Sequence, residues 1–188
     1  MAHIMLFHSV YGLRPAVLAT AGRLRAAGHR VATPDLYGAP AADTVAEGFA
    51  LLDKIGQDTV LDRARAALRG LPADAVLAGF SMGAGVAGAV LAERPDAAAL
   101  LLLSGAGGAP EAVRRGLPVQ LHLADPDEYD TEPELDEWRE AMTGAGAALS
   151  VHRYPGAGHL YTDPDLPDHD PVAAERTWAR VLAFLDGR

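Results

Sequence analysis

The sequence predicts an α/β fold in one domain, with about six mostly parallel strands and helices on both faces of the sheet. Apolar runs of strand length alternate with helical patterns, the arrangement that gives parallel sheets covered on both sides. The helix ends carry chemical signals where the pattern changes. The chain of 188 residues has the length of one domain and can bury a sizeable core without cross-links.

Ile4–His8 reads as the first strand, and the helical stretch Ala16–Ala27 after it ends at Gly28. Arg30–Ala32 is a short strand. Val45–Ile55 and Thr59–Leu68 are helical, and Gly70 closes the second. Ala75–Phe80 is the third strand, followed by the small-residue helical run Ala84–Ala92 and the strand Ala98–Leu103. Val119–Leu123 is the fifth strand. Thr131-Glu132-Pro133 marks the entrance to the helix Pro133–Thr143, Leu149–Tyr154 is the last strand, and Asp170-Pro171 opens the last helix, Pro171–Leu185. No internal repeat and no Pro-, Gly- or Ser-rich linker divides the chain, so residues 1–188 are expected to form a single domain.

Composition excludes several function classes. A formal net charge of -9 argues against nucleic acid as a partner, because phosphate backbones require basic patches. No apolar run approaches the length of a membrane span, and no basic segment with a cleavage site leads the first strand, so a cytoplasmic protein is expected. The absence of cysteine excludes disulfides and thiolate metal sites. Asp125 to Glu137 holds eight carboxylates and Asp163 to Asp170 four; both read as solvated loops with no metal site expected in either, and, following strand ends that carry candidate catalytic residues, they are also expected to rim the pocket and, with Asp163, to disfavour anionic substrates. His8, His29, His122 and His152 lie in or beside strands without metal-ligand spacing, which marks them as core or edge residues. Trp138 and Trp178 fall on helical stretches and read as core.

Gly79-Phe80-Ser81-Met82-Gly83 carries chemistry. It is a G-x-S-x-G pentapeptide between a strand and a helix, the context of a nucleophile elbow. Gly83-Ala84-Gly85-Val86-Ala87-Gly88 also spells G-x-G-x-x-G, but Ser81 holds the turn where a dinucleotide site needs glycine, and no acid stands at the next strand end. Those glycines are expected to allow close helix–sheet packing, and no cofactor is expected. Asp127 follows the fifth strand and His159 lies in the Gly-rich loop after the sixth, so Ser81, Asp127 and His159 fall on one edge of the sheet. Serine needs a base to become nucleophilic, histidine titrates near neutrality, and a carboxylate orients the imidazole. The chain order Ser, Asp, His is that of the α/β-hydrolases. Oxyanion donors are expected at the Met82 amide, in the first helical turn, and at the Val10 amide, in the loop after the first strand. Ser9 and Tyr11 in that loop, and Tyr37 in the turn Pro34-Asp35-Leu36-Tyr37-Gly38, are candidate substrate contacts.

The chain resembles the dienelactone hydrolase family. The resemblance runs through Ile4 to Leu13, Gly28 to Gly38, the elbow, Leu121 to Asp127 and Tyr154-Pro155-Gly156-Ala157-Gly158-His159. It implies a minimal α/β-hydrolase without a lid domain, hydrolysis of small carboxylic esters or lactones through an acyl-enzyme, the triad Ser81, Asp127 and His159, and oxyanion donors Val10 and Met82. It also implies that the two antiparallel strands opening a full α/β-hydrolase sheet have no counterpart here, which leaves Arg30–Ala32 at a sheet edge. The family's type enzymes have cysteine at the place of Ser81, glutamate at the place of Ser9, and a carboxylate-gripping arginine at the place of Asp163. These departures predict serine-dependent ester hydrolysis in place of dienelactone hydrolysis. Ala124 stands where the family has glycine, which leaves Asp125 as an alternative to Asp127. Acyl transfer to another acceptor, or binding without catalysis, would use the same residues; oligomeric state is left open.

Overall fold

The computed structural model describes residues 1–108 and 110–188. Its strands are β1 (His3–Phe7), β2 (Arg30–Ala32), β3 (Val76–Phe80), β4 (Leu100–Leu103), β5 (Pro118–Asp125) and β6 (Ala148–Pro155). Its helices are α1 (Pro15–Ala26), α2 (Val45–Ile55), α3 (Gln57–Leu68), α4 (Met82–Ala89), α5 (Glu132–Gly144) and α6 (Pro171–Leu185). The strands form one sheet in the order β2-β1-β3-β4-β5-β6. Every pairing is parallel, where the sequence predicts a mostly parallel sheet. β2 lies at one edge, as expected, and β6 at the other.

Helix starts follow local chemistry. The Thr44 hydroxyl accepts from the Glu47 amide at 3.2 Å while the Glu47 carboxylate accepts from the Thr44 amide at 3.1 Å, a reciprocal cap on α2. Asp170 caps α6 by accepting from the amides of Val172 and Ala173 at 2.9 and 3.0 Å. The run predicted to be helical through Ala92 breaks earlier: α4 stops at Ala89 and a short 3₁₀ turn, Leu91–Glu93, follows.

Side-chain alternation along β1 builds the two faces of the core. Met5 and Phe7 pack with Leu77, Leu102, Leu121, Val60 and Met142 on one side. Ile4 and Leu6 pack with Val76, Leu101, Val17, Leu24 and Val181 on the other. Both faces of the central strands β1, β3 and β4 are apolar because helices cover both. Trp178 lies in the second cluster, and Trp138 packs against the first. Among the described residues, no lid domain interrupts the fold and no helix is long and apolar enough to cross a membrane.

His122 on β5 is a polar exception within the core. Its Nε2 faces the Gln120 side-chain amide oxygen Oε1 at 3.0 Å and therefore donates, leaving Nδ1 to accept from the Tyr154 hydroxyl at 2.9 Å. Burial, with nearby His152 and Arg180, pushes this imidazole down to about 3 from an ordinary 6.5. The unfolded chain takes up a proton near pH 6.5 while the native state refuses it. The stability from neutral His122 is therefore complete above pH 6.5 and declines as pH falls from there toward 3. Between pH 7 and pH 5 the loss is about 2 kcal/mol. Urea denaturation at those pH values should show a shallower fall for His122→Gln than for wild type; equal falls would refute the assignment.

The topology places a crevice. From β1 the chain moves outward to β2, then returns past β1 to β3 and continues to β6. The loops after β1 and β3 thus diverge at a switch point, where open parallel sheets bind ligands.

Candidate active site

Ser81 occupies the turn between β3 and α4 at φ 49°, ψ -113°, a left-handed conformation that a serine adopts only when its surroundings impose it. Sterics at the crossing impose it. A Cβ on Gly79 would lie 2.0 Å from the Gly83 carbonyl oxygen, and a Cβ on Gly83 would lie 2.5 Å from that of His8. Only two glycines let β3, α4 and the end of β1 approach so closely. Of the other small residues near the turn, Gly88 abuts Gly108, whereas Gly85 faces open space and has no packing role. The Ser81 amide donates to the Leu103 carbonyl at 2.7 Å, anchoring the turn to β4.

The elbow presents Ser81 Oγ to His159, whose Nε2 lies 2.8 Å away. On the far side of the ring, His159 Nδ1 is 2.9 Å from both carboxylate oxygens of Asp127. Acceptance by that carboxylate puts the proton on Nδ1 and leaves Nε2 able to accept from the serine. Burial alone pushes the Asp127 carboxyl up. Its hydrogen bond and charge contact with His159, and the amides of Tyr129 and Asp130, outweigh burial and hold it below its usual range. The alternative acid is drawn elsewhere: Asp125 accepts from Arg153 at 2.8 Å, and Arg153 also pairs with Glu132. The difference follows from strand register, since Asp125 is still paired with Pro155 within the sheet, whereas Asp127 lies beyond its end.

The Val10 amide stands on the loop after β1 and the Met82 amide at the first position of α4. Among the described residues neither donates to another group of the chain. Buried contacts hold both segments. The Tyr37 hydroxyl donates to the Val10 carbonyl at 3.0 Å and lies 3.2 Å from Met82 Sδ. His8 stands edge-on to that ring; its Nδ1 donates to the Ser9 carbonyl at 2.8 Å, and its Nε2 accepts from the Leu36 amide at 3.0 Å. Burial pushes the His8 imidazole down, favouring this neutral tautomer. Gly48 of α2 completes the enclosure, because a Cβ there would meet the Val10 carbonyl oxygen at 2.6 Å.

These positions correct two predicted substrate contacts. Tyr37 is 2% exposed and lies against Val10 and Met82 instead of lining the mouth. Its hydroxyl finds a backbone acceptor indoors, which makes burial of a tyrosine favourable. Ser9 is also buried and lines a separate small cleft with Arg14, Thr20 and Asp163. Tyr11 does line the cavity beside Ser81. Asp163 forms a largely buried ion pair with Arg14 at 2.7 Å, which ties the loop after β1 to the loop after β6. It is therefore not a free charge at the mouth.

The cavity beside Ser81 and His159 has a volume of about 250 Å³. Its walls include residues that sequence reasoning did not assign to a site, Val45 and Phe49 of α2, Tyr129, Leu160 and Pro167, together with Glu128 and Asp168 from the two acidic segments. The i,i+4 pair Val45 and Phe49 was a signal, since Phe49 remains 45% exposed on the helix. The Tyr129 ring lies with its centroid 4.5 Å from that of His159. Three of the four carboxylates of the second acidic segment have partners: Asp163 pairs with Arg14, Asp168 accepts from the Leu160 amide at 3.0 Å and Asp170 caps α6.

The family model described as the dienelactone hydrolase family matches residues 1–187. No curated protein matches the chain in sequence. Among solved structures, the chain is similar to a dienelactone hydrolase-like promiscuous phosphotriesterase, P91, from metagenomic libraries: TM-score 0.81 and 19% identity, covering 97% of this chain and 84% of that one. It is similar to a putative dienelactone hydrolase from Klebsiella pneumoniae, at TM-score 0.80 and 20% identity, covering 100% and 88%. Esterase PE8 follows the same fold at TM-score 0.69 and 19% identity, covering 98% and 93%.

Proposed function

The chain belongs to the dienelactone hydrolase family and is a hydrolase of α/β-hydrolase fold; from that premise we propose that it cleaves small carboxylic esters or lactones through a serine acyl-enzyme. The observation that carries this reading is the continuous contact from Ser81 Oγ through the His159 imidazole to Asp127, at 2.8 and 2.9 Å. As His159 Nε2 takes its proton, Ser81 attacks the substrate carbonyl carbon. The Val10 and Met82 amides stabilise the oxyanion, and Asp127 stabilises the imidazolium. The tetrahedral species collapses as the imidazolium gives its proton to the leaving alkoxide. Water, deprotonated by His159, then attacks the acyl-enzyme and regenerates the serine hydroxyl. No step requires a cofactor.

Cavity size favours small acyl groups, and Asp163 stands at the sequence position where the family's type enzymes carry a carboxylate-gripping arginine. Both support neutral esters or lactones over an anionic dienelactone. A fluorophosphonate reagent should add covalently to Ser81 in wild type, with peptide mass spectrometry placing the adduct, and should leave Ser81→Ala unlabelled. Failure of wild type to label at Ser81 removes this reading.

A further inference from the structure

We propose that the cavity beside Ser81 selects esters carrying a positive charge, an ammonium or quaternary ammonium group, over esters carrying a carboxylate. The proposal rests on the hydrolase reading above and names the substrate class of that site. Three aromatic rings, Tyr11, Phe49 and Tyr129, share the cavity wall with the carboxylates of Glu128 and Asp168. Aromatic faces attract cations through the ring quadrupole, and adjacent carboxylates strengthen that attraction. Phe49 and Tyr129 are 45% and 47% exposed, so neither residue is sealed in the core.

Two further observations fix the sign of the cavity. No lysine or arginine occurs among the described residues that line it. Arg14 lies over the Tyr11 ring at 5.3 Å but is neutralised by Asp163 at 2.7 Å. An incoming carboxylate therefore finds no fixed cationic partner. Asp168 is a built part of the wall. Its Oδ2 accepts from the Leu160 amide, and a Cβ on Gly158 would lie 2.8 Å from Asp168 Cγ, so the missing side chain makes room for it. A carboxylate held in this way still has lone pairs for a cation. Burial first, and then the charges of Glu128 and Asp168, raise the Tyr11 and Tyr129 hydroxyls, consistent with an anionic field across both rings.

The test uses three 4-nitrophenyl esters of matched length: the 4-(trimethylammonio)butanoate, the pentanoate and the glutarate monoester. Each kcat/KM is divided by the hydroxide-dependent rate constant of the same ester, which removes differences in intrinsic reactivity without counting the intramolecular attack of the glutarate carboxylate. At low ionic strength the cationic ester is expected to exceed the anionic one by about 10- to 100-fold, with the neutral ester between. The ratio should shrink several-fold in 0.5 M salt, on the order of one Debye screening step, and in Glu128→Gln and Asp168→Asn. Equal rates for the cationic and anionic esters, or a ratio unmoved by both substitutions, overturn the proposal. Calorimetric titration of Ser81→Ala protein with phenyltrimethylammonium and with benzoate asks the same question of binding alone. Tighter binding of the cation is expected, and equal or reversed affinities overturn the charge preference whether or not esters are turned over. Turnover of the pentanoate without charge discrimination leaves the hydrolase reading intact; its failure would show instead as absent turnover of every ester and absent labelling at Ser81.

Discussion

Ser81→Ala is expected to lower kcat toward a small ester by about 10⁶-fold, and His159→Ala added to it should cost little more, because a nucleophile and its base fail as one unit. Asp127→Asn should cost about 10³- to 10⁴-fold. The reason is the tautomer. An asparagine amide can donate to His159 Nδ1, which moves the ring proton to Nε2, and Nε2 then cannot accept from Ser81. Asp125→Asn provides the internal contrast. Asp125 answers to Arg153 and does not contact His159, so its variant should stay within about 3-fold of wild type, as expected for loss of a half-exposed ion pair. Steady-state rates on one short-chain aryl ester decide the matter. A larger loss for Asp125→Asn than for Asp127→Asn would reverse the assignment of the acid, and retained activity in Ser81→Ala would remove the mechanism.

Gly79→Ala is expected to destabilise the fold by about 3 kcal/mol or more, a large share of what holds a domain of this size together. The added methyl would stand 2.0 Å from the Gly83 oxygen and 2.2 Å from its carbonyl carbon. Both are backbone atoms of α4, so relief requires that the helix move away from β3 and take Ser81 out of its strained turn. Gly85→Ala is the control on the same helix. Nothing lies within 4 Å of its added methyl, and alanine is the better helix former, so this variant should gain up to about 1 kcal/mol. Denaturation midpoints of the two variants should therefore move in opposite directions. Parallel shifts would show that the elbow crossing is looser than its geometry indicates.

Strand and helix order was legible because both faces of the sheet are covered, which turns strands into plain apolar runs. The bounds of β2, α2 and α6 match the sequence reading residue for residue, since caps and short apolar stretches mark them locally. β5 and β6 each run past their predicted ends because they extend one another's pairing, from Pro118 with Ala148 to Asp125 with Pro155. Pairing of that kind depends on a partner 30 residues away. α4 breaks at Ala89 although its small residues read as helix to Ala92, a turn decided where the chain must drop back to begin β4.

The candidate site divides in the same way. Ser81, Asp127 and His159 could be proposed from sequence because each follows a strand, and in a parallel sheet all strand ends of one sense meet at one edge. Val10 and Met82 followed by the same logic. Which of two aspartates two residues apart meets the imidazole could not be read from composition, because it depends on where β5 releases the chain. Tyr37 looked like a surface turn residue, and its descent against Val10 and Met82 follows from a backbone acceptor, the Val10 carbonyl, supplied by a distant segment. Asp163 looked like one of several free charges until Arg14, from the far end of the chain, neutralised it. Local patterning therefore determined the element order, the elbow and the edge on which the chemistry gathers. Only tertiary structure decided which acid faces the histidine, which tyrosine lines the cavity and which charges stay unpaired, because burial and pairing belong to contacts between segments remote in sequence.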